Sequence, residues 1–261
     1  REYNSYKIRK FDLDSFTLNK SVLKFDKKID VFYDVSRKAF HLLQHLYRRK
    51  NSKPLELGPE FLIKSGLIYS GIDAFENPQL KRKTLYLYGY FQDVNIVDPI
   101  REVLISEFAY KGNISKRTSE YLKLIKQNEH SIGISIRCGK DYVESGWPVC
   151  GIDYYKKGLE ILKQRYSDCK VFIFADDIVK VKNDFGFGDN VIYIEGCSAL
   201  ESLELLKNCS DFVISNSSFA WWGAYLSQNQ DKMVIMPEKW FVGLKTKDTS
   251  LPFGKHVVML D

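Results

Sequence analysis

The chain has 261 residues, of which 44% are hydrophobic and 28% are charged, and its formal net charge is +6. A chain of this length can bury one large core or two modest ones, and the apolar fraction is ordinary for a globular protein. No stretch approaches the roughly 18–20 consecutive apolar residues of a membrane span, so the sequence predicts no membrane-spanning helix.

The first half of the chain gives the weaker structural signals. Residues 31–49 have helical spacing, with apolar side chains mostly on one side, and the prolines and glycine between 54 and 59 end that pattern. Short strands are predicted at 66–69 and 85–88. These elements alone do not define a fold.

The second half alternates short apolar runs with helical patterns. Strands are predicted at 131–137, 171–174, 191–194, 212–215 and 233–236, and helices at 152–166, 200–207 and from 221 onward. This alternation is typical of βαβ units, and strands rich in Val, Ile and Phe fit a parallel sheet covered by helices on both faces. We therefore predict an α/β fold. A polar region around a short helix at 121–126 marks the boundary between an N-terminal domain (1–128) and a C-terminal domain (129–261).

Polar side chains follow three of the predicted strands, at Arg137, at Asp176 with Asp177, and at the serines of 215–218. Carboxyl ends of parallel strands meet at one edge of a sheet, where α/β proteins bind their ligands. The serine loop also opens a helix, whose free N–H groups attract phosphate. The plainer interpretation is a strand-to-helix loop with a capping serine, and the adjacent tryptophans fit a core better than a ligand platform.

Residues 214–226 closely resemble the SNSSFSWWGAWL signature of the family 11 glycosyltransferases, the bacterial α-1,2-fucosyltransferases. Residues 86–92 are similar to the GYFQS strand and turn of that family, and 100–108 to its next helix. Residues 148–155 are similar to its PxCxxDYY segment, and 134–142 stand where it has His-x-Arg-Arg-Gly-Asp-Tyr. The resemblance covers roughly residues 80–240, in the order of the family.

This resemblance implies a GT-B-like fold, with two Rossmann-like domains facing a cleft. It also implies inverting transfer of L-fucose from GDP-fucose to a hydroxyl, O2 of a terminal galactose, on a glycan acceptor such as an O-antigen or surface polysaccharide unit. The family's first arginine binds the β-phosphate and is kept here as Arg137. Negative charge builds on that phosphate as GDP leaves, and a guanidinium can bind two of its oxygens at once.

Specific roles follow for the residues at the sheet edge. We expect GDP-fucose to be bound by residues of the three strand ends: Ser135, Arg137, Asp176, Asn216, Ser217, Ser218 and Phe219. The Asp176 carboxylate could accept N1–H and N2–H₂ of guanine, although a helix cap at Asp176 or Asp177 fits about as well. Arg137 and Asp141 are the candidate catalytic residues. If the reaction needs a general base, Asp141 and Glu144 are the carboxylates near the arginine segment.

Three departures from the family pattern leave other functions open. Ser135 stands where the family has His, Cys138 replaces the second Arg, and Lys140 is inserted before Asp141. The family's opening strand and Gly-Gly-Leu-Gly-Asn-Gln loop have no counterpart after Arg1, so we expect the N-terminal domain to be incomplete. The alternatives are a nucleotide-binding relative without catalytic activity and a transferase that uses another sugar nucleotide.

Partners and location follow from the remaining features. We expect no metal or other cofactor, because the similar families need none, and no nucleic acid, because no nucleic-acid-binding motif is present. The five cysteines lack CxxC spacing and fit free thiols in a reducing cytoplasm. Basic clusters lie at 48–50, 81–83 and 116–117. They either form solvated surface or attract the protein to an anionic membrane or a lipid-linked oligosaccharide acceptor. The second interpretation would place the protein peripherally at the inner face of the cytoplasmic membrane.

Overall fold

The computed structural model describes residues 12–18, six helical positions between 35 and 46, residues 67–70 and 86–89, and residues 92–261 apart from 145, 148–149, 167 and 242. Its contacts divide the chain into two compact units, one formed by residues 1–18 with 92–261 and the other by residues 19–91. No described helix has the length and apolar character needed to cross a bilayer.

The smaller unit contains a parallel pair of strands, β1 (Leu67–Ser70) and β2 (Tyr86–Gly89). Both strands lie within one residue of their predicted positions. The described positions between 35 and 46 are helical, as the apolar spacing predicted. The rest of that helix and the basic clusters at 48–50 and 81–83 lie outside the described residues.

The larger unit is an alternation of helices and strands. Its described helices are α1 (Val94–Val97), α2 (Arg101–Glu107), α3 (Lys116–Gln127), α4 (Lys140–Glu144), α5 (Ile152–Arg165), α6 (Ile178–Asp184), α7 (Ala199–Lys207) and α8 (Ser218–Tyr225). Its described strands are β3 (Ser131–Ile136), β4 (Lys170–Ala175), β5 (Val191–Tyr193), β6 (Asp211–Ile214), β7 (Met233–Pro237), β8 (Lys239–Phe241), β9 (Leu244–Lys245) and β10 (His256–Leu260).

Six of these strands form one sheet in the order β10-β7-β6-β3-β4-β5, and every neighbouring pair is parallel. Side chains alternate across the sheet, so Phe172 and Phe212 pack on one face with Trp221, whereas Ile134 and Val213 pack on the other with helix α5. Both faces are therefore covered by helices. The α/β class and the parallel sheet are confirmed, and they are consistent with the predicted GT-B-like fold.

Helix boundaries differ from the predictions because capping residues decide where helices begin. Ser115 accepts the N–H of Thr118 and starts α3 at Lys116, five residues before the predicted start. Helix α8 starts at Ser218 rather than at Trp221. The edge strand β10 and helix α6 were not predicted.

The predicted domain boundary at 128/129 does not coincide with the division into compact units. Helix α3 lies before that boundary but contributes the buried Ile125 to the same core as Leu205 of α7. The Glu201 carboxylate of α7 also accepts the Ser115 N–H at 2.8 Å. Residues 92–128 therefore pack with the C-terminal sheet.

Candidate functional site

The carboxyl ends of three adjacent strands form one edge of the sheet, as predicted. In the register of the sheet, Ile136 of β3 is paired with Ala175 of β4, and Ser135 is paired with Ile214 of β6. Arg137, Asp176 and the serine loop each follow directly after one of these strands. The structure therefore brings together the three groups that the sequence placed at this edge.

Arg137 is held between two carboxylates. Its Nη1 donates to Asp176 Oδ2 at 2.7 Å and its Nη2 donates to Asp141 Oδ2 at 2.8 Å. The two carboxylates differ in exposure, since the Asp176 side chain is 20% exposed and the Asp141 side chain 72%. A guanidinium has five N–H donors, so Arg137 keeps donors uncommitted within the described part of the chain. We call these three side chains the arginine clamp.

Asp176 is the inner member of the clamp and accepts two further hydrogen bonds. Its Oδ1 accepts the Cys138 N–H at 2.9 Å, and its Oδ2 accepts the Gly139 N–H at 3.0 Å. Both oxygens thus have protein donors, and the carboxylate fixes the turn after β3 as well as the guanidinium. Asp177 caps helix α6 by accepting the Lys180 N–H, which answers the capping question in favour of Asp177.

Gly139 is required at its position by a close approach. A Cβ built there would lie 2.6 Å from Asp176 Oδ2, which is closer than a Cβ approaches another atom, and 3.0 Å from Asp141 Oδ1, which is a tight contact. A side chain at residue 139 would therefore displace the clamp itself.

Tyr142 connects the arginine clamp to the serine loop. The Arg137 guanidinium lies 5.6 Å from the centre of its ring, and its hydroxyl donates to Asn216 Oδ1. Burial raises the pKa of Tyr142 well above its usual value, so it remains a neutral donor. Asn216 Nδ2 donates to the Trp240 carbonyl at 3.0 Å, so both halves of this amide are used inside the protein. Asn216 therefore fits a supporting role in the loop better than direct ligand contact.

The serine loop ends in an open helix terminus. The Ser215 N–H donates to the Ser135 carbonyl at 3.1 Å, and Ser217 is the N-cap of α8 without a capping hydrogen bond from its side chain. No partner within the described residues accepts the N–H groups of Ser218 and Phe219. These donors and the exposed Ser218 hydroxyl suit an anion. Ser135 itself is only 5% exposed.

The tryptophans after the loop belong to the core, which is the interpretation that the sequence favoured over a ligand platform. Trp221 is fully buried, stacks on Tyr225 at 4.8 Å and donates from Nε1 to the Leu251 carbonyl at 2.7 Å. Trp221 fixes α8 against the core, and the N-terminus of this helix lies at the sheet edge.

The cysteines of the site are neutral thiols. Burial is the main cause that raises the pKa of Cys138 and of Cys150 to about 11. All five cysteines are free, as predicted. At neutral pH neither site thiol is an activated nucleophile, so the chemistry of this edge depends on the clamp and the loop.

Sequence reasoning missed Tyr142 and Trp240 as parts of the site. Tyr142 belongs to the segment that resembles the family's Gly-Asp-Tyr, which was an available signal. Trp240 contributes only a backbone carbonyl, which no side-chain pattern reveals. The roles predicted for the site residues toward a ligand stay predictions.

Comparison with known proteins agrees with the motifs. The chain is 27% identical to the O-antigen biosynthesis glycosyltransferase WbnK of Escherichia coli, over 90% of this chain and 80% of WbnK. It is 36% identical to an alpha-1,2-colitosyltransferase of Escherichia coli, over 64% of this chain and 62% of that protein.

The chain also resembles two solved structures, at lower identity. POFUT1 in complex with GDP-fucose is 9% identical with a TM-score of 0.38, over 62% of this chain and 49% of POFUT1. The NodZ alpha-1,6-fucosyltransferase soaked with GDP-fucose is 17% identical with a TM-score of 0.29, over 43% and 42% of the two chains.

The sequence model of glycosyl transferase family 11 matches residues 68–247, which include β1 except for Leu67, and β2, the arginine clamp and the serine loop. That match covers more than half of the chain. The protein is a glycosyltransferase and belongs to glycosyl transferase family 11.

Proposed function

We propose that the protein transfers L-fucose from GDP-fucose, with inversion, to a hydroxyl of a glycan acceptor, O2 of a terminal galactose in an O-antigen or surface polysaccharide unit. The observation that carries the proposal is the Arg137 guanidinium, fixed at the same sheet edge as the open N-terminus of α8. Membership of family 11 and the names of the two relatives support a glycan acceptor.

The chemistry requires stabilisation of a departing diphosphate. As the bond from the anomeric carbon to the phosphate oxygen breaks, negative charge builds on the β-phosphate. Arg137 would hold that phosphate, while the N–H groups of Ser218 and Phe219 with the Ser217 and Ser218 hydroxyls would hold the other oxygens. No metal ion is needed in this scheme, because the guanidinium and the helix terminus supply the positive charge.

The arginine clamp suggests how the donor enters. Asp176 has three protein donors and a largely covered side chain, whereas Asp141 has Arg137 as its one donor among the described residues and is 72% exposed. A diphosphate that competes for Arg137 would therefore displace Asp141 and leave Asp176 in place. Asp141 would then be free to accept the proton of the acceptor hydroxyl.

Two roles compete for Asp176. The sequence suggested that it reads guanine, whereas its three protein donors favour holding Arg137 in place. The two roles differ in what an Asp176 substitution does to guanosine binding.

The decisive test is a product assay with GDP-fucose and terminal β-galactosides, with products identified by mass and linkage. Arg137→Lys should lower kcat by at least about a hundredfold, because a single ammonium cannot replace the guanidinium fork. Lys182→Gln is a matched control, since Lys182 is paired with Glu195 away from the clamp. Near-normal turnover by the Arg137→Lys variant would contradict the phosphate assignment.

Nucleotide binding, measured by thermal stability, distinguishes this activity from the two alternatives. GDP should raise the melting temperature of the protein, whereas UDP and ADP at equal concentration should not. A catalytically silent relative would bind GDP and form no product with any acceptor. A transferase that uses another sugar nucleotide would prefer another nucleoside diphosphate.

A second donor is favoured by one specific observation, the 36% identity to the alpha-1,2-colitosyltransferase. Colitose is fucose without the 3-hydroxyl group. A site that hydrogen-bonds this hydroxyl rejects the deoxy sugar strongly, whereas a site that leaves it free does not. The ratio of kcat/KM for GDP-fucose and GDP-colitose therefore decides which donor the protein uses.

A further inference from the structure

A cavity lies at the opposite edge of the sheet from the serine loop. Its volume is about 600 Å³, and it is lined by residues 98–103, by Tyr225 at the end of α8, and by residues that directly precede strands β7 and β10. The amino ends of β7 and β10 form this edge, whereas the arginine clamp lies at carboxyl ends. The proposed donor site and this cavity are therefore separate.

Two cationic side chains beside this cavity donate hydrogen bonds to the same oxygen. Arg101 Nη2 donates to the Ser227 carbonyl oxygen at 2.7 Å, and Lys232 Nζ donates to the same oxygen at 2.8 Å. Two nitrogens that bond to one oxygen must lie side by side. Lys232 is only 4% exposed, and the Arg101 side chain is 22% exposed.

Two carboxylates lie beside these cations, and within the described residues neither forms a close ion pair with Lys232. Asp98 accepts the Tyr225 hydroxyl at 2.6 Å, and Glu102 touches Arg101 at 3.4 Å with a side chain that is 86% exposed. Burial, followed by the charge of Arg101, lowers the pKa of Lys232 to about 8. The charge of Asp98 offsets only part of this lowering. Within the described chain the buried Lys232 ammonium has a carbonyl as its acceptor and no close ion pair, so the two adjacent cations can accept a further anion.

The walls show what kind of anion would fit. The Tyr225 ring lies 5.7 Å from Arg101, and the Phe253 ring lies 5.9 Å from Lys232. Ile100 and Val103 also line the cavity and are 47% and 54% exposed. A volume of this size is in the range of small-molecule sites and exceeds a bare inorganic ion. The ligand therefore combines a strongly charged head with an organic part.

We propose that Arg101 and Lys232 form a second binding site, for the phosphoryl group of an organic phosphate whose remainder lies along Ile100 and Val103. A dianionic phosphate matches two adjacent cations in charge, and a guanidinium beside an ammonium offers several donors to its oxygens. The same chemistry occurs in soluble phosphate esters and in lipid headgroups, and both are tested below.

The test measures thermal stability of the full chain with inorganic phosphate and with glycerol 3-phosphate, in a buffer without other polyvalent anions. At a ligand concentration one hundred times Kd, the melting temperature should rise by about 5 to 10 °C. Lys232→Met and Arg101→Gln should each abolish most of that rise, whereas Lys245→Gln, at a lysine paired with Glu238 outside the cavity, should keep it. The melting temperature of Lys232→Met without ligand is measured first. We expect this variant to fold, because replacing a buried charge with an apolar side chain of similar size is often neutral.

Phosphate could also bind at the arginine clamp, so each variant is paired with Arg137→Lys. A rise that disappears with Arg137→Lys and persists in Lys232→Met and Arg101→Gln would overturn the proposal, and so would the absence of any rise. NMR of ¹⁵N-labelled lysine gives a second readout, because phosphate beside Lys232 should raise the pH at which its ammonium loses a proton. An unchanged titration of Lys232 in phosphate would also overturn the proposal.

Vesicles distinguish the two sources of the phosphoryl group. Sedimentation with phosphatidylcholine vesicles that contain phosphatidic acid, compared with phosphatidylcholine alone, should show binding lost in Lys232→Met if a lipid headgroup is the ligand. Phosphate binding in solution without such sedimentation identifies a soluble ester. Both results support the site, and neither depends on GDP-fucose being the donor.

Discussion

Asp176→Asn is the most informative substitution in the arginine clamp. Asparagine has a single acceptor oxygen and an NH₂ group, whereas Asp176 accepts from Arg137, Cys138 and Gly139 through both of its oxygens. Either orientation of the amide places its NH₂ group against a donor. The charge-assisted bond to Arg137 contributes about 1.5–3 kcal/mol, and a donor left without an acceptor costs about 1–3 kcal/mol. Because the Asp176 side chain is 20% exposed, water can replace part of these hydrogen bonds. We therefore expect Asp176→Asn to lose about 2–4 kcal/mol of the free energy that holds the Arg137 guanidinium in place.

This loss should appear in the chemical step, because the guanidinium would no longer be fixed where the β-phosphate leaves. A displacement of roughly 1 Å can lower the rate about a hundredfold. We expect kcat to fall by that factor, with the Kd of guanosine changed less than twofold in calorimetry. Asp177→Asn is the control, since Asp177 caps α6 at the same edge and Asn caps helices about as well, so this variant should keep both its stability and its kcat.

The opposite pattern would refute this reasoning. If Asp176 reads guanine, Asp176→Asn should weaken guanosine and GDP by similar factors and reduce discrimination against other nucleoside diphosphates. An unchanged kcat at saturating GDP-fucose, combined with weaker guanosine binding, would show that Asp176 recognises guanine. Arg137 would then be positioned by Asp141.

Three further predictions follow from neighbouring contacts. Gly139→Ala should lower kcat about ten- to a hundredfold, because its Cβ would meet Asp176 at 2.6 Å, whereas Gly151→Ala, with nothing within 4 Å of its Cβ, should be neutral in initial-rate assays. Lys180→Gln should raise KM for GDP-fucose a fewfold and more at low salt, since Lys180 Nζ lies 3.5 Å from the Cys138 carbonyl; a salt-independent KM would contradict a role in charge compensation. Burial alone would raise the pKa of Glu201, but hydrogen bonds from Ser198 and Ser115 outweigh it and hold the pKa at about 2, below the usual 4.5. Stability from Glu201 is therefore present above pH 4.5 and lost as pH falls toward 2, so Glu201→Gln should remove about 2–3 kcal/mol from the free energy of unfolding at pH 7 and flatten its acid dependence in urea titrations.

The sheet was predictable because its strands are buried on both faces. Runs 171–174 and 212–214 are continuously apolar, and their short length and their Val, Ile and Phe content favour a buried parallel strand over a helix. The site was predictable at the level of position, since parallel strands bring their carboxyl ends together whatever the connecting helices are. For this reason Arg137, Asp176 and the serine loop could be assigned to one edge before their contacts were known.

Partnerships within the site were not predictable, because they depend on side chains meeting across the chain. Nothing in the spacing of Arg137 and Asp176 shows that one carboxylate holds both the guanidinium and the turn after β3. The inward-facing amide of Asn216 is another example, since a polar residue in a serine-rich loop is expected to face solvent. Edge strand β10 was missed although residues 257–260 are apolar and follow a turn at Gly254, which were available signals.

The departures from the family pattern have a physical interpretation in this structure. Cys138 occupies the position of the family's second arginine, is 4% exposed, and contributes its backbone N–H to Asp176. A buried thiol whose pKa is raised to about 11 brings no positive charge to the donor. The Lys180 ammonium beside the Cys138 carbonyl can restore charge at this edge, but without the planar fork of an arginine. Charge without directional bonding stabilises a bound diphosphate and a departing one to similar extents, so this replacement should preserve donor affinity better than it preserves turnover.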